Sequence, residues 1–166
     1  MKSKQKIYLI GLPGTGKSYF GKILAEATGF EFADLDKIIE EKEGRTISTI
    51  FETDGEDYFR RTESTLLRSF SEKEEFILAT GGGSPCFHDG ISFMNENGIT
   101  IYLTQDRETL IERISRKSHR PLMQGDVENR IDELLRIRSK FYNQADITIS
   151  HRDATKAMNE IYKLKS

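Results

Sequence analysis

The chain has 166 residues, enough for one domain with a sizeable core, and its 36% hydrophobic content holds no run long enough to span a bilayer. With 25 basic against 27 acidic residues the formal net charge is −2, so no global field favours nucleic acid or a membrane surface as partner, and any anion site must be local. Cys86 is the only cysteine, which excludes a disulfide within the chain; the basic start Met1 to Lys6 leads into too few apolar residues for a signal peptide, and a cytoplasmic protein is expected.

Ile7-Tyr8-Leu9-Ile10 is a compact apolar run suited to a buried strand. It feeds Gly11-Leu12-Pro13-Gly14-Thr15-Gly16-Lys17-Ser18, which fits the phosphate-loop pattern G-x-x-x-x-G-K-[ST]. Beyond the loop, Phe20, Ile23, Leu24 and Ala27 fall at i, i+3, i+4 and i+7, one face of a helix that Gly29 can stop. Strand, loop and helix are the context the motif requires. In that setting backbone N–H groups of the turn and of the helix start converge on phosphate oxygens, Lys17 reaches the β/γ-phosphates and Ser18 offers its hydroxyl to Mg²⁺. A tight strand-to-helix turn with an exposed lysine is the plainer alternative.

Phe30 to Asp34 is expected to be a second strand, ending at Asp34-Leu35-Asp36 before a helix from Lys37 to Glu43 that stops at Gly44. If the backbone stays extended there, the period of two puts both carboxylates on one side, placed to hold Mg²⁺ through water and to orient an attacking hydroxyl. Capping of the helix by one of them is compatible with that. From Ile47 to Phe70 the pattern is helical in two pieces that break at Asp54-Gly55, with Glu56 and Asp57 in the acidic first turn of the second. Phe59, Leu66 and Phe70 mark the core face; Arg60 lies at its edge as an inward-facing anion contact, and Arg61 points to solvent.

Phe76 to Ala79 is a third strand and runs into Thr80-Gly81-Gly82-Gly83-Ser84-Pro85, where three glycines suggest close backbone approach to a ligand. A small buried or half-buried thiol is the reading favoured for Cys86 over a nucleophile. Ile99 to Leu103 is the fourth strand, and Asp106 can cap a helix with Leu110, Ile111 and Ile114 facing the core. The basic, aperiodic segment 115–125, which contains Arg120-Pro121, reads as a surface loop able to close as a lid over phosphates, with a solvated basic loop as its competitor. In the helix from Asp126 to about Tyr142, Val127, Ile131, Leu134, Leu135 and Tyr142 form an apolar face with Arg138 in its middle. Such an arginine needs a partner, either a structural carboxylate or that of a ligand. Asp146 to Ser150 is the fifth strand and Thr155 to Lys165 a closing helix. Nothing repeats and no linker intervenes, so residues 1–166 are expected to be a single α/β domain of three layers with a five-stranded parallel sheet.

Taken together, these blocks closely resemble the shikimate kinase family over essentially the whole chain. They are the phosphate loop, Asp34-Leu35-Asp36, Ile50-Phe51 through Gly55-Glu56 to Phe59-Arg60, Ala79 to Gly83, Arg120-Pro121-Leu122, and Arg138 ahead of Phe141-Tyr142. The resemblance implies the P-loop kinase fold of the nucleoside-monophosphate-kinase type, strand order 2-3-1-4-5, and transfer of the γ-phosphoryl of ATP to the 3-hydroxyl of shikimate in aromatic amino acid biosynthesis. It implies ATP contacts at Gly14, Thr15, Gly16, Lys17, Ser18 and Tyr19, with Arg113 packed on adenine and Arg120 as the lid arginine. Asp36 corresponds to the residue that binds the acceptor hydroxyls and is placed to assist proton removal. Arg60 and Arg138 correspond to the carboxylate clamp, Gly82 and Gly83 to backbone contacts, and Ser18 and, through water, Asp34 to the Mg²⁺ partners. It also implies a shikimate-binding region over about 34–61, a lid over about 115–125, and a monomer with no nucleic-acid or membrane partner. Around residues 151–154 the chain lacks a proline present in many relatives. A gluconate or nucleotide kinase of the same fold, or a nucleotide-binding module without transfer activity, are the competing readings.

Overall fold

The computed structural model describes residues 5–117, 126–150 and 154–163. Five strands, β1 (Lys6–Ile10), β2 (Phe32–Asp34), β3 (Phe76–Ala79), β4 (Ile99–Leu103) and β5 (Ile147–Ile149), form one sheet in the order β2-β3-β1-β4-β5. Every neighbouring pair is parallel. The helices are α1 (Lys17–Thr28), α2 (Leu35–Glu43), α3 (Ile47–Ser69), α4 (Gly90–Asn97), α5 (Arg107–Lys117), α6 (Val127–Tyr142) and α7 (Ala154–Lys163). None of the described helices is long and apolar enough to cross a membrane.

The strands are apolar on both sides because both faces of the sheet are covered. Ile7 and Leu9 of β1 join Phe20 and Leu24 of α1 and Ala157 and Ile161 of α7 in one core; Tyr8 and Ile10 join Leu35, Phe59, Leu67 and Ile131 in the other. Full burial of each such side chain is worth about 1.5–3 kcal/mol, and this pairing of faces fixes the sheet between its helical layers.

Local departures from the sequence reading have physical causes. β2 is shorter than expected, and the next helix starts at Leu35 rather than Lys37, because Asp34 Oδ1 accepts from Lys37 N at 3.3 Å and so acts as its N-cap. Asp36 is therefore helical, and the extended geometry expected to put Asp34 and Asp36 on one side does not exist. The break at Gly55 is present, with φ 85° and ψ 173° inside the long α3. Helix α4 was not anticipated; it is short and carries only Ile91 and Met94 as buried large residues. β5 spans three residues, and Asp146, expected within it, instead accepts from Thr100 N through Oδ2 at 3.0 Å.

Candidate active site

With this strand order the loops after β1 and β3 emerge side by side at the carboxyl edge of the sheet, and β2 ends next to them. Thr80 ties the two loops together, its N and Oγ1 both donating to the Leu9 carbonyl at 3.1 and 2.8 Å.

The loop after β1 is built to present donors. Gly16 takes the left-handed conformation, φ 86° and ψ 30°, and α1 then starts with no side-chain cap and no acid in its first turn. The first N–H groups of α1 and its positive dipole end are thus left for an anion. Lys17 Nζ donates to the carbonyls of Gly11 and Leu12 at 2.8 and 2.9 Å. Thr15 is buried and closes the turn by donating Oγ1 to the Leu12 carbonyl at 3.0 Å. Ser18 Oγ donates to Asp34 Oδ2 at 2.6 Å, so Asp34 uses one oxygen as a helix cap and the other toward the loop. Arg113, from α5, donates Nη1 to the Gly14 carbonyl at 3.0 Å. A cleft of about 690 Å³ opens here, lined by Pro13, Gly14, Gly16, Lys17, Ser18, Tyr19, Asp34, Asp36, the run Ala79 to Gly82, Arg113 and Arg116.

The three glycines after β3 are explained by space rather than by dihedral angle, since none of them has positive φ. A Cβ on Gly81 would lie 2.9 Å from Asp36 Oδ1 and 3.0 Å from Glu63 Oε2. On Gly82 it would meet Arg138 Nη1 at 2.7 Å and Pro13 Cδ at 3.0 Å, and on Gly83 the Arg60 guanidinium at 2.5 Å. What the glycines admit is therefore the site's own charged side chains, where the sequence suggested a ligand. Asp36, Arg60 and Arg138 are thereby gathered along three consecutive residues.

Arg60 is buried on α3, donating Nη1 to Glu63 Oε1 at 3.0 Å and Nε to Glu56 Oε1 at 3.4 Å, with its guanidinium 4.2 Å from the Phe87 ring centroid. Glu63 is 2% exposed, and its second oxygen accepts from Ser84 Oγ at 2.8 Å, while Ser84 Oγ accepts from Gly81 N at 3.0 Å. Glu63 and Ser84 escaped the sequence reading; the signal for Glu63 was its i+3 spacing from an arginine already assigned to the inner face. Arg138, half-buried on α6, sits against Gly82, and Tyr142 of the same helix donates its hydroxyl to the Gly82 carbonyl at 2.6 Å.

Burial, then the neighbouring Asp34 and Glu63 carboxylates, push the pKa of Asp36 up to about 6 against the opposing pull of Lys17. A carboxylate that is ionised near neutrality yet unusually basic suits contact with a reacting hydroxyl. Cys86 is half-buried, and burial raises its pKa, which favours the thiol over a nucleophilic thiolate. Arg120 and residues 151–153 lie outside the described residues. Among the described residues no group of three or more His, Cys, Asp or Glu side chains could enclose a metal ion.

Fold and cleft define an ATP-dependent P-loop kinase: a phosphate loop opening α1 and lining one cleft with Asp36 and the glycine run. A family model described as shikimate kinase matches residues 13–165. The chain is 42% identical over 146 residues to a shikimate kinase of Persephonella marina, covering 88% of each chain, and 38% identical over 161 residues to one of Parabacteroides distasonis, covering 94% of this chain and 91% of that one. A solved structure of shikimate kinase from Acinetobacter baumannii in complex with shikimate superposes with a TM-score of 0.89 at 36% identity, covering 99% of this chain and 96% of that one. The chain belongs to the shikimate kinase family.

Proposed function

We propose that the chain transfers the γ-phosphoryl group of ATP to the 3-hydroxyl of shikimate, with the residue roles that follow. The carrying observation is the meeting in one cleft of an uncapped phosphate loop and Asp36, with a glycine run behind which Arg60 and Arg138 converge.

The backbone of Gly14 to Ser18 holds the phosphates, and the Lys17 ammonium exchanges its loop carbonyls for the β/γ-phosphoryl oxygens. Tyr19 and Arg113 border the nucleotide, with Arg113 toward adenine, and Arg120 adds a cation at the transferring group from a lid over about 115–125. Ser18 and, through water, Asp34 are the protein groups for Mg²⁺. Ser18 gives its hydroxyl proton to Asp34 and so would keep its oxygen lone pairs for the ion. When bound, that ion neutralises charge on the phosphates.

On the acceptor side, Arg60 and Arg138 clamp the carboxylate while the Gly82 and Gly83 backbone lies along the ring. Asp36 accepts the hydrogen bond of the 3-hydroxyl and is basic enough to take its proton as the new O–P bond forms. Phosphoryl transfer asks for alignment and charge neutralisation more than covalent chemistry, and these residues supply both. We further infer one kinase domain over residues 1–166 that acts as a cytoplasmic monomer, with an acceptor region at about 34–61 and no nucleic-acid or membrane partner. An assay coupling ADP release to NADH oxidation tests the reading: turnover should require shikimate and Mg²⁺ together. Turnover with gluconate or a nucleoside monophosphate, and none with shikimate, would refute it.

A further inference from the structure

Tyr142 closes α6 one turn beyond Arg138, with no exposed surface and its ring 5.0 Å from that of Tyr102. An aromatic ring at that place serves the core equally well without a hydroxyl. The hydroxyl is nonetheless committed: it donates to the carbonyl of Gly82 at 2.6 Å, across 60 residues of sequence. Gly82 is also the residue against which the Arg138 guanidinium lies.

This bond has a geometric consequence. A trans peptide is planar, so holding the Gly82 carbonyl toward α6 turns the Gly83 N–H of the same peptide away from α6. The same Gly82 lies against the Arg138 guanidinium, which a side chain there would meet at 2.7 Å. On the opposite side of the loop, Ser84 holds Gly81 N through the Glu63 network, so the glycine run is pinned at both ends.

We propose that Tyr142 is a positioning residue for acceptor binding: its hydroxyl sets the Gly82 peptide, against which the Arg138 guanidinium lies, in one arrangement before the acceptor arrives. This rests on the reading of the acceptor given above. Without the hydroxyl, the Gly82 carbonyl loses its partner, and Arg138 keeps its charge beside a loop that can turn. The bond is to the loop after β3 and not to α1 or α5, on which the ATP side is built.

Tyr142→Phe removes one oxygen and keeps the ring. Calorimetric titration with shikimate should show affinity about tenfold weaker than in the unmodified chain, the size of one lost hydrogen bond. KM for shikimate should rise in parallel, while kcat and KM for ATP stay within about twofold. Equal shikimate affinity in the two proteins overturns the role of Tyr142 alone; so does a matched rise of both KM values, which marks a structural residue. An unmodified chain that binds no shikimate overturns the proposed reaction and this inference together. If the variant does not fold, the unmodified chain labelled with ¹³Cζ-tyrosine decides: the Tyr142 resonance should shift on adding shikimate, and an unmoved resonance refutes the proposal.

Discussion

The nucleotide half of the cleft is made from backbone and one contiguous stretch, residues 11–18, whereas the acceptor half gathers side chains from positions 36, 60, 63, 138 and 142 around the glycines at 81–83. The first half presents N–H groups that a helix start leaves without partners, and it needs little support beyond the turn itself. The second half holds charges already paired or packed on the glycine run, such as Arg60 with Glu63 and Arg138 against Gly82, and it depends on how α3 and α6 pack. Damage to the first half should therefore appear in turnover, and damage to the second in stability and acceptor affinity.

The largest effect should follow from breaking the buried pair. Glu63→Ala leaves the guanidinium of Arg60 with Glu56 at 3.4 Å as its remaining carboxylate, and the loss should be about 3 to 5 kcal/mol in urea unfolding, together with weaker shikimate binding. On the nucleotide side, Lys17→Met should lower kcat by about 10²–10³, equivalent to about 3–4 kcal/mol, as expected for removing a preorganised donor to developing charge. Pre-steady-state single-turnover kinetics measure it directly; an unchanged chemical step would remove Lys17 from the reaction.

Arg138→Ala should weaken shikimate binding toward the lower end of about 2–5 kcal/mol, because the side chain is only half-buried. Unaltered affinity by calorimetry would make Arg138 a structural residue and erase the contrast between the halves. Smallest in size is the effect of Asp36 on stability. Its pKa in the folded chain, about 6, lies above the ordinary 3.8, so between these values the unfolded chain gives up a proton that the folded chain keeps. Stability contributed below pH 3.8 is thus lost as pH rises through about 6, and Asp36→Asn should be more stable at pH 7.5 by about 2 kcal/mol while losing turnover. In the unmodified chain kcat/KM should climb with pH around 6 as the carboxylate ionises.

The same contrast explains what could be read before the fold was known. The phosphate loop is a local motif whose chemistry lies in successive backbone groups, so residues 11–18 announce themselves, and the apolar periods around them place the strands and helices. Arg60 and Arg138 stood out because each interrupts or borders an apolar helical face. Glu63 did not, since a glutamate on a long helix resembles any solvated residue until Ser84 and Arg60 are seen beside it. Tyr142 read as core for a sound reason, and its second task depends on a loop 60 residues away. The carboxylates of Asp34 and Asp36 were expected together on an extended backbone. They line one cleft through a different geometry, because capping by Asp34 starts the helix one residue after it.

The phosphoryl group is proposed to cross from the loop at 11–18 to a hydroxyl held by Asp36 against the glycine run. ³¹P and ¹H NMR of the products formed from ATP, Mg²⁺ and shikimate tests it most directly. The account requires a phosphomonoester resonance coupled to the proton on carbon 3 of shikimate, growing in step with ADP. Inorganic phosphate alone, or a phosphoester on another hydroxyl, would contradict it.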